Sequence, residues 1–311
     1  MSALNDMLEV LGTVYDDAAI VASPQIAHLI VDGNNLLSLQ QAPGVSIASR
    51  LVETVLEAEI VVAQGVRLEQ PIHLCIGMLG PRGLQHIRSR IKVEEDAQVS
   101  LLAHCLFPVA ESSRHVMEAE VELAAGAQMN YREGHYHGPT AGIEVLPKAV
   151  VKVGPGGRFF SDFFLTTGRA GRLHLDYRIE AAAESVTEVT TRIFGHGSDE
   201  IRTREELVLA GRAARGLLKS RVAVDGEASS EVISITHGNA AEVRGHMDCV
   251  EIILERARAQ AQPIVSVSHP LAKVTHEAAV GTVDQKQLET LMARGLSPEA
   301  AVDVLITGML R

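Results

Sequence analysis

Aromatic residues are scarce in this sequence. Its 311 residues include six Phe, four Tyr and no Trp, whereas there are 13 His. The core must therefore be built mainly from aliphatic side chains, and the chain has few rings on which nucleic-acid bases stack. Cationic residues are fewer than acidic ones, and the formal net charge is −11. Neither a nucleic acid nor an anionic membrane is expected as a partner, since an acidic surface is repelled by both.

Cysteine is equally sparse. Cys75, Cys105 and Cys249 lie far apart and form no C-x-x-C pair, which excludes zinc ribbons and thioredoxin-type motifs. An odd and low cysteine count is typical of a reducing compartment. The first twenty residues carry acidic side chains and lack the basic start and apolar stretch of a signal peptide. A cytoplasmic protein is predicted.

Familiar catalytic motifs are also missing. The chain contains neither a phosphate-binding loop, G-x-x-x-x-G-K-[ST], nor a nucleophile elbow, G-x-S-x-G. The glycines of residues 154–157 do not complete a dinucleotide motif, because Phe159 stands in the last glycine position. His276 and Glu277 begin the metalloprotease pattern H-E-x-x-H, but Val280 replaces its second histidine. The chain is therefore not expected to bind ATP through a phosphate loop or to be a metalloprotease.

Apolar and polar residues alternate between residues 45 and 267, which is typical of β-strands. Similar segments recur there, each with an apolar first residue and a small residue six positions later. These segments begin at residues 91, 121, 151, 179, 207 and 222. The intervals between these starts are 30, 30, 28, 28 and 15 residues. The recurring interval of roughly 30 residues, one or two turns long, predicts a solenoid whose coils stack to bury their apolar faces. An antiparallel sandwich with coincidental spacing is the alternative.

The two ends of the chain show helical patterns. Leu4, Met7, Leu8 and Leu11 have the spacing of a short amphipathic helix within an N-terminal segment, residues 1–44. That segment continues through a turn at residues 33–35, where Gly precedes two Asn.

Residues 268–311 are predicted to form a C-terminal helical pair. Asp284 and Gln287 have the form of a capping box, and Gly295 stands where a left-handed residue ends a helix. Ser297 and Pro298 then begin a second helix. The apolar residues of this pair need a cover, which is either the end of the solenoid or a partner protein.

Two polar clusters are candidate sites on residue chemistry alone. His135 and His137 would share one face of a strand, as two metal ligands do, although a pair flanked by glycines, here Gly134 and Gly138, is more often part of a solvated loop. Cys249 follows Asp248 and lies three residues from His246, an arrangement that suits iron binding or sulfur transfer. Because an acidic neighbour raises the pKa of a thiol, a buried structural cysteine is the alternative.

The third cluster is His276–Glu277. An exposed imidazole and carboxylate at a domain junction are a plausible pair of iron ligands. In the structural alternative, the carboxylate merely orients or ion-pairs with the imidazole.

The C-terminal sequence resembles the SufB/SufD family, the scaffold of the SUF machine for iron–sulfur cluster assembly. The resemblance rests on three ordered segments: residues 274–281 (VTHEAAVG), 288–297 (LETLMARGLS) and 306–310 (ITGML). With the upstream segments 245–249 and 262–264, it extends over residues 45–311. It implies a mainly β protein with a right-handed parallel β-helix core over residues 45–267, a short N-terminal segment over 1–44 and a C-terminal helical subdomain over 268–311.

The resemblance also implies a function. The short chain is similar to the compact SufBD type, in which a single scaffold forms a homodimer. Such a dimer would be non-catalytic, would build a transient iron–sulfur cluster, and would receive sulfur from a cysteine desulfurase or another donor. His276, Glu277 and Cys249 are the candidate ligands near the dimer interface. The essential cysteine of classical SufB is replaced by Ala257, a few residues before Pro263, so Cys249 is a candidate substitute.

A SufC-like ABC ATPase is the implied partner, and it would dock on the C-terminal helices. The candidate residues for this contact are Leu288, Leu291, Met292, Arg294, Val302, Leu305 and Ile306. Two other functions remain open. One is a β-helix enzyme that acts on a small molecule through His135 and His137, and the other is a metal-free adaptor of the ATPase.

Overall fold

Strands dominate the computed structural model, which describes residues 2–15, 23 and 26–310. The strands are β1 (His28–Asp32), β2 (Asn35–Gln40), β3 (Val45–Val52), β4 (Val55–Val62), β5 (Ile72–Gly77), β6 (Arg82–Val93), β7 (Gln98–Phe107), β8 (Ser112–Leu123), β9 (Gln128–His137), β10 (Ile143–Val153), β11 (Arg158–Leu165), β12 (Arg172–Ala181), β13 (Val186–Gly195), β14 (Glu200–Leu209), β15 (Arg215–Val224), β16 (Ser229–Gly238), β17 (Arg244–Ile253), β18 (Arg258–Val267) and β19 (Lys273–Gly281). The helices are α1 (Ala3–Tyr15), α2 (Gln285–Met292) and α3 (Pro298–Met309).

The strands form two sheets that enclose one core. Sheet A has the order β19-β17-β15-β13-β11-β9-β7-β5-β1-β2, and sheet B has the order β18-β16-β14-β12-β10-β8-β6-β4-β3. Pairing is parallel except in the hairpins β1–β2 and β3–β4. From β4 onward the chain alternates between the sheets, so it winds as a solenoid of about eight turns. The predicted mainly β solenoid is confirmed.

The sequence repeat corresponds to one turn of this solenoid. The first five repeat starts pair in register along sheet B, in the order Ile91, Val121, Val151, Ile179 and Leu207. The sixth copy, which begins at Val222, lies in β15 of sheet A and therefore half a turn further along the chain. The full repeat interval is thus one turn, with one strand in each sheet.

Six successive turns from sheet B to sheet A, from β6–β7 to β16–β17, share one left-handed position. The residues there have φ values of 56° to 68° and are Asp96, Gly126, Gly156, Glu184, Ala213 and Glu242. The residue that follows the left-handed position points into the core. Ala97 and Ala127, for example, are fully buried. The repeat that begins at residue 207 differs from the prediction. Its turn has one extra residue, so that Ala214 is the buried alanine and Ala213 takes the left-handed position.

Helices α1 and α3 pack on the outer face of sheet A. Met7 and Leu11 of α1 are buried against Ile30, Cys75 and Leu106, which confirms the predicted amphipathic helix. Ile306 of α3 packs in the same way against Ala223 of β15, with Phe194 of β13 beside it. Helix α3 is therefore covered by the flank of the solenoid, which is neither of the two predicted covers, the end of the solenoid and a partner protein.

The predicted helix caps are present. The Asp284 carboxylate accepts a hydrogen bond from the backbone N–H of Gln287 at 2.7 Å. The Ser297 hydroxyl accepts from the N–H of Ala300 at 3.2 Å, and Gly295 between the helices has a φ of 99°. These local interactions need no tertiary context, which is why the sequence pattern was sufficient to find them.

The division of the chain at residues 45 and 268 stays a prediction. Strands β1 and β2 precede residue 45, and β19 follows residue 267, yet all three belong to sheet A. Residues 1, 16–22, 24 and 25 of the predicted N-terminal segment, and residue 311, lie outside the described residues. Among the described helices, none has the length and apolar character needed to cross a bilayer.

Candidate functional site

The predicted ligands His276, Glu277 and Cys249 lie on the last two strands of sheet A. In the register of β17 and β19, His276 pairs with Met247, Glu277 with Asp248, and Ala278 with Cys249. Successive residues of a strand point to opposite faces. His276 therefore shares the inward face with Cys249, while Glu277 points outward. The structure brings the imidazole and the thiol onto one face and separates the carboxylate from them.

Strands β18 and β19 are the last strands of sheet B and sheet A at the C-terminal end of the solenoid. Among the described residues, each has a neighbouring strand on one side only. We call the exposed edge of these two strands and the loop between them the open end. His276 and Glu277 are both exposed there. Large apolar side chains accompany them. These are Ile264, Val265, Val267, Leu271 and Val280, which are 40% to 59% exposed.

Cys249 is buried one strand below the open end. Its Sγ lies 3.4 Å from the Ser234 hydroxyl, and burial raises the pKa of the thiol, with a further contribution from the carboxylates of Glu205 and Glu251. The predicted influence of Asp248 is absent, because that carboxylate points outward. A hydrogen bond from Arg221 lowers the pKa of Asp248. The thiol is therefore protonated in this conformation.

Two buried carboxyl groups that the sequence motifs do not single out, Glu205 and Glu251, lie near Cys249. Glu205 is fully buried, and the Thr191 hydroxyl donates to its Oε1. Glu251 accepts a hydrogen bond from the Ser230 hydroxyl at 2.6 Å. Burial raises the pKa of each carboxyl group to about 7. The sequence does contain a sign of Glu205. It stands two residues before the buried Leu207 in an alternating strand, so it occupies an inward position that is normally apolar.

His135 and His137 lie inside the solenoid, on the inward face of β9, where they are 2% and 0% exposed. The alternative of a solvated loop is therefore wrong. His135 Nε2 lies 2.8 Å from Glu133 Oε1, and its Nδ1 lies 3.3 Å from His137 Nε2. No small molecule reaches this pair in the described conformation, so the geometry does not support the enzyme hypothesis that relied on it.

The predicted docking residues fall into two groups. Ile306 is 2% exposed and Val302 is partly buried, because both pack against the solenoid. Helix α2 has no buried residue, and its Met292 is 39% exposed. The half-buried Leu288 and Leu291 lie on the same helix. Helix α2 therefore presents the freer apolar surface.

Comparison with known proteins gives consistent matches. A family model described as "SUF system FeS cluster assembly, SufBD core domain" matches residues 78–309. An iron–sulfur cluster assembly SufBD family protein of Methanocaldococcus jannaschii is 36% identical over 284 residues, which are 91% of this chain and 90% of that protein. A SufBD family protein of Pyrococcus horikoshii is 32% identical over 286 residues, 92% of this chain and 87% of that protein. The family match includes β6 to β19 and both C-terminal helices.

Proposed function

Because this chain belongs to the SufBD family of iron–sulfur cluster assembly proteins, we propose that it is a non-catalytic scaffold that forms a homodimer through the open end. The dimer would hold a nascent cluster, or iron, as cargo rather than as a permanent cofactor. Sulfur would come from a cysteine desulfurase or another donor.

The observation that carries this proposal is the unpaired edge of β18 and β19 with its exposed apolar side chains. The edge strand of a sheet presents free backbone N–H and C=O groups and pairs readily with another chain. A two-fold axis at this edge would place the same residues of two copies side by side. Two copies of His276 and of Glu277 would then meet at one seam.

Cys249 would enter this site only after a change at the last turn, because its thiol is buried and protonated. Binding of Fe²⁺ favours the thiolate and releases the proton, so the ion itself would supply the driving force. His276 shares the inward face with this thiol, since its register partner Met247 lies two residues before Cys249. Glu277 would contribute from the outer face.

The oligomeric state tests the homodimer. Lysine at an edge position blocks strand pairing, so Val267→Lys and Val280→Lys should convert the dimer into a monomer in light scattering. Leu84→Lys is the matched control, since Leu84 is 50% exposed but lies on β6, away from the open end. A monomeric wild type, or a dimer that survives both open-end substitutions, would exclude the proposal.

Iron binding tests the ligands. Anaerobic reconstitution with iron and sulfide should give a cluster absorption band that weakens in His276→Ala, Glu277→Ala and Cys249→Ala. His246→Ala is the control, because His246 lies on the outer face of β17 and bonds Thr275 at 2.9 Å. Retention of the wild-type band in all three variants would show that the ligand assignment is wrong.

ATPase docking on α2 is the last part of the proposal. A SufC-like ABC ATPase would supply ATP hydrolysis, since the sequence has no phosphate-binding loop. Co-purification with such an ATPase should be lost in Met292→Asp and kept in Val304→Asp, which alters an exposed position of α3. A metal-free adaptor would instead retain the ATPase and never bind iron.

A further inference from the structure

A second group of metal-ligating side chains lies inside the solenoid, separated from β19 by four strands of sheet A, β11, β13, β15 and β17. Cys105 of β7 pairs in register with His135 of β9, and Glu133 lies two residues earlier on the same inward face. One ligand atom from each of these three buried residues lies within 4.8 Å of the other two. Three donors of different chemistry therefore converge in the buried interior.

His115 reaches the same place from sheet B. It is fully buried, and within the described part of the chain neither of its ring nitrogens has a hydrogen-bond partner. Its ring centroid lies 6.1 Å from that of His135 and 5.0 Å from that of Phe107. A buried polar group without a partner costs free energy. The lone pair of this imidazole is thus free for a ligand that the interior itself does not supply.

The hydrogen bonds around His135 define its tautomer. The Arg169 carbonyl lies 2.8 Å from His137 Nδ1 and only accepts, so His137 Nδ1 carries a proton. The other nitrogen of a neutral His137 then accepts from His135 Nδ1. His135 Nε2 is left with its lone pair directed at Glu133 Oε1, 2.8 Å away, and the two atoms share one proton. A metal ion bound to both atoms would take the place of that proton.

We propose that Cys105, Glu133, His135 and His115 bind one divalent transition-metal ion, such as Zn²⁺ or Fe²⁺, inside the solenoid. A thiolate, a carboxylate and two imidazoles are a donor set that suits these ions in four-coordinate geometry. Binding releases two protons, one from the Cys105 thiol and one from the His135–Glu133 pair. The two negative charges that remain balance the charge of the ion, so no net charge is buried.

Neighbouring residues would orient these ligands. The hydroxyls of Tyr131 and Tyr177 donate to Glu133 Oε2 at 2.8 and 2.9 Å, which leaves Oε1 for the ion. His137 holds the ring of His135 through the bond described above. Partners of this kind typically change metal affinity by a factor of 10 to 100.

Cobalt(II) is a suitable probe, because a cobalt–thiolate bond gives an intense near-ultraviolet band. The ion is added during refolding, since the site is buried. The background is Cys249→Ala/His276→Ala, which removes the candidate ligands at the open end. This background should bind one cobalt per chain with a thiolate band, and Cys105→Ser in the same background should lose the band. A folded background protein that binds no cobalt, or a band that persists in Cys105→Ser, would overturn the proposal.

His115→Phe keeps the test decisive if Cys105→Ser does not fold. A phenyl ring fills similar space beside Phe107 and removes two unsatisfied nitrogens, so this variant should fold and be more stable than the wild type without metal. Its affinity for cobalt should fall at least tenfold. Equal cobalt affinity of His115→Phe and the background protein would show that His115 is not a ligand and that the proposed set is wrong.

Discussion

The hydroxyl of Thr191 in sheet A donates a hydrogen bond to one carboxyl oxygen of Glu205 in sheet B, across the interior of the solenoid. The second oxygen, Oε2, has no hydrogen-bond partner among the described residues. A charged carboxylate in this position is poorly solvated, and burial raises the pKa of Glu205 to about 7. The solenoid interior therefore favours the protonated side chain.

This relationship predicts a pH-dependent effect of Glu205→Gln. The native state binds more protons than the unfolded state between pH 4.5 and about 7, so the wild type loses free energy of unfolding as pH rises through that window. The loss is roughly 3 kcal/mol. Glutamine keeps an acceptor for Thr191 and does not titrate. Urea unfolding should show Glu205→Gln to be more stable than the wild type at pH 8 and nearly equal at pH 4.

Glu206→Gln is the matched control for this experiment. Burial acts to raise the pKa of Glu206, but hydrogen bonds from Arg204 and Arg178 outweigh it and lower the pKa. Its charge therefore stabilises the native state above the unfolded pKa, and the substitution should destabilise the protein at pH 8. If Glu205→Gln and the wild type have parallel stability profiles between pH 4 and pH 8, the carboxyl group is not protonated as described.

The extra residue in the turn between β14 and β15 predicts opposite effects of two adjacent substitutions. Ala213 has a φ of 58°, a region that costs a residue with a Cβ about 1 to 2 kcal/mol. Ala213→Gly should therefore raise the free energy of unfolding by about 1 kcal/mol. Ala214→Gly should lower it by about 1 kcal/mol, because it removes a fully buried methyl group and adds backbone freedom. Effects of equal sign in urea unfolding would contradict the assigned turn.

The docking of α3 predicts a local effect of Ile306→Ala. This side chain is 2% exposed in a small cluster with Ala223, and its loss should cost about 2 to 4 kcal/mol of docking free energy. Hydrogen exchange of the α3 amides should become faster, whereas exchange in β7 and β9 should not change. Val304→Ala on the same helix, at a position that is 48% exposed, should have little effect. Unchanged exchange in Ile306→Ala would mean that α3 is held by other contacts.

The candidate site was only partly accessible to prediction. Recognition of the SufB/SufD pattern pointed to His276 and Glu277 as a pair, but the pairing of β19 with β17 places them on opposite faces. The sequence pattern predicts a helical subdomain over residues 268–311, and that prediction assigns no strand faces to the two residues. Their role as iron ligands, with that of Cys249, stays a prediction.

The interior cluster escaped prediction for a different reason. The spacing of His135 and His137 places them on one face of a strand, yet the glycines on either side favour a solvated loop. Cys105 precedes His135 by a full turn of the solenoid, and His115 comes from the opposite sheet. No local pattern relates these side chains, because their proximity depends on how one turn stacks on the next.

The sequence by itself determined the elements whose chemistry acts within a few residues. The Asp284 and Ser297 caps and the alternation of the strands follow from contacts or patterns of short range, and the recurrence of similar segments is visible in the sequence, whereas their assignment to one turn each came from the strand register. Only the tertiary structure decided which face of each strand is inside and that α3 covers the flank of sheet A. The physical reason is that side chains a whole turn apart along the chain, or on facing sheets, come into contact only through the packing of the whole solenoid.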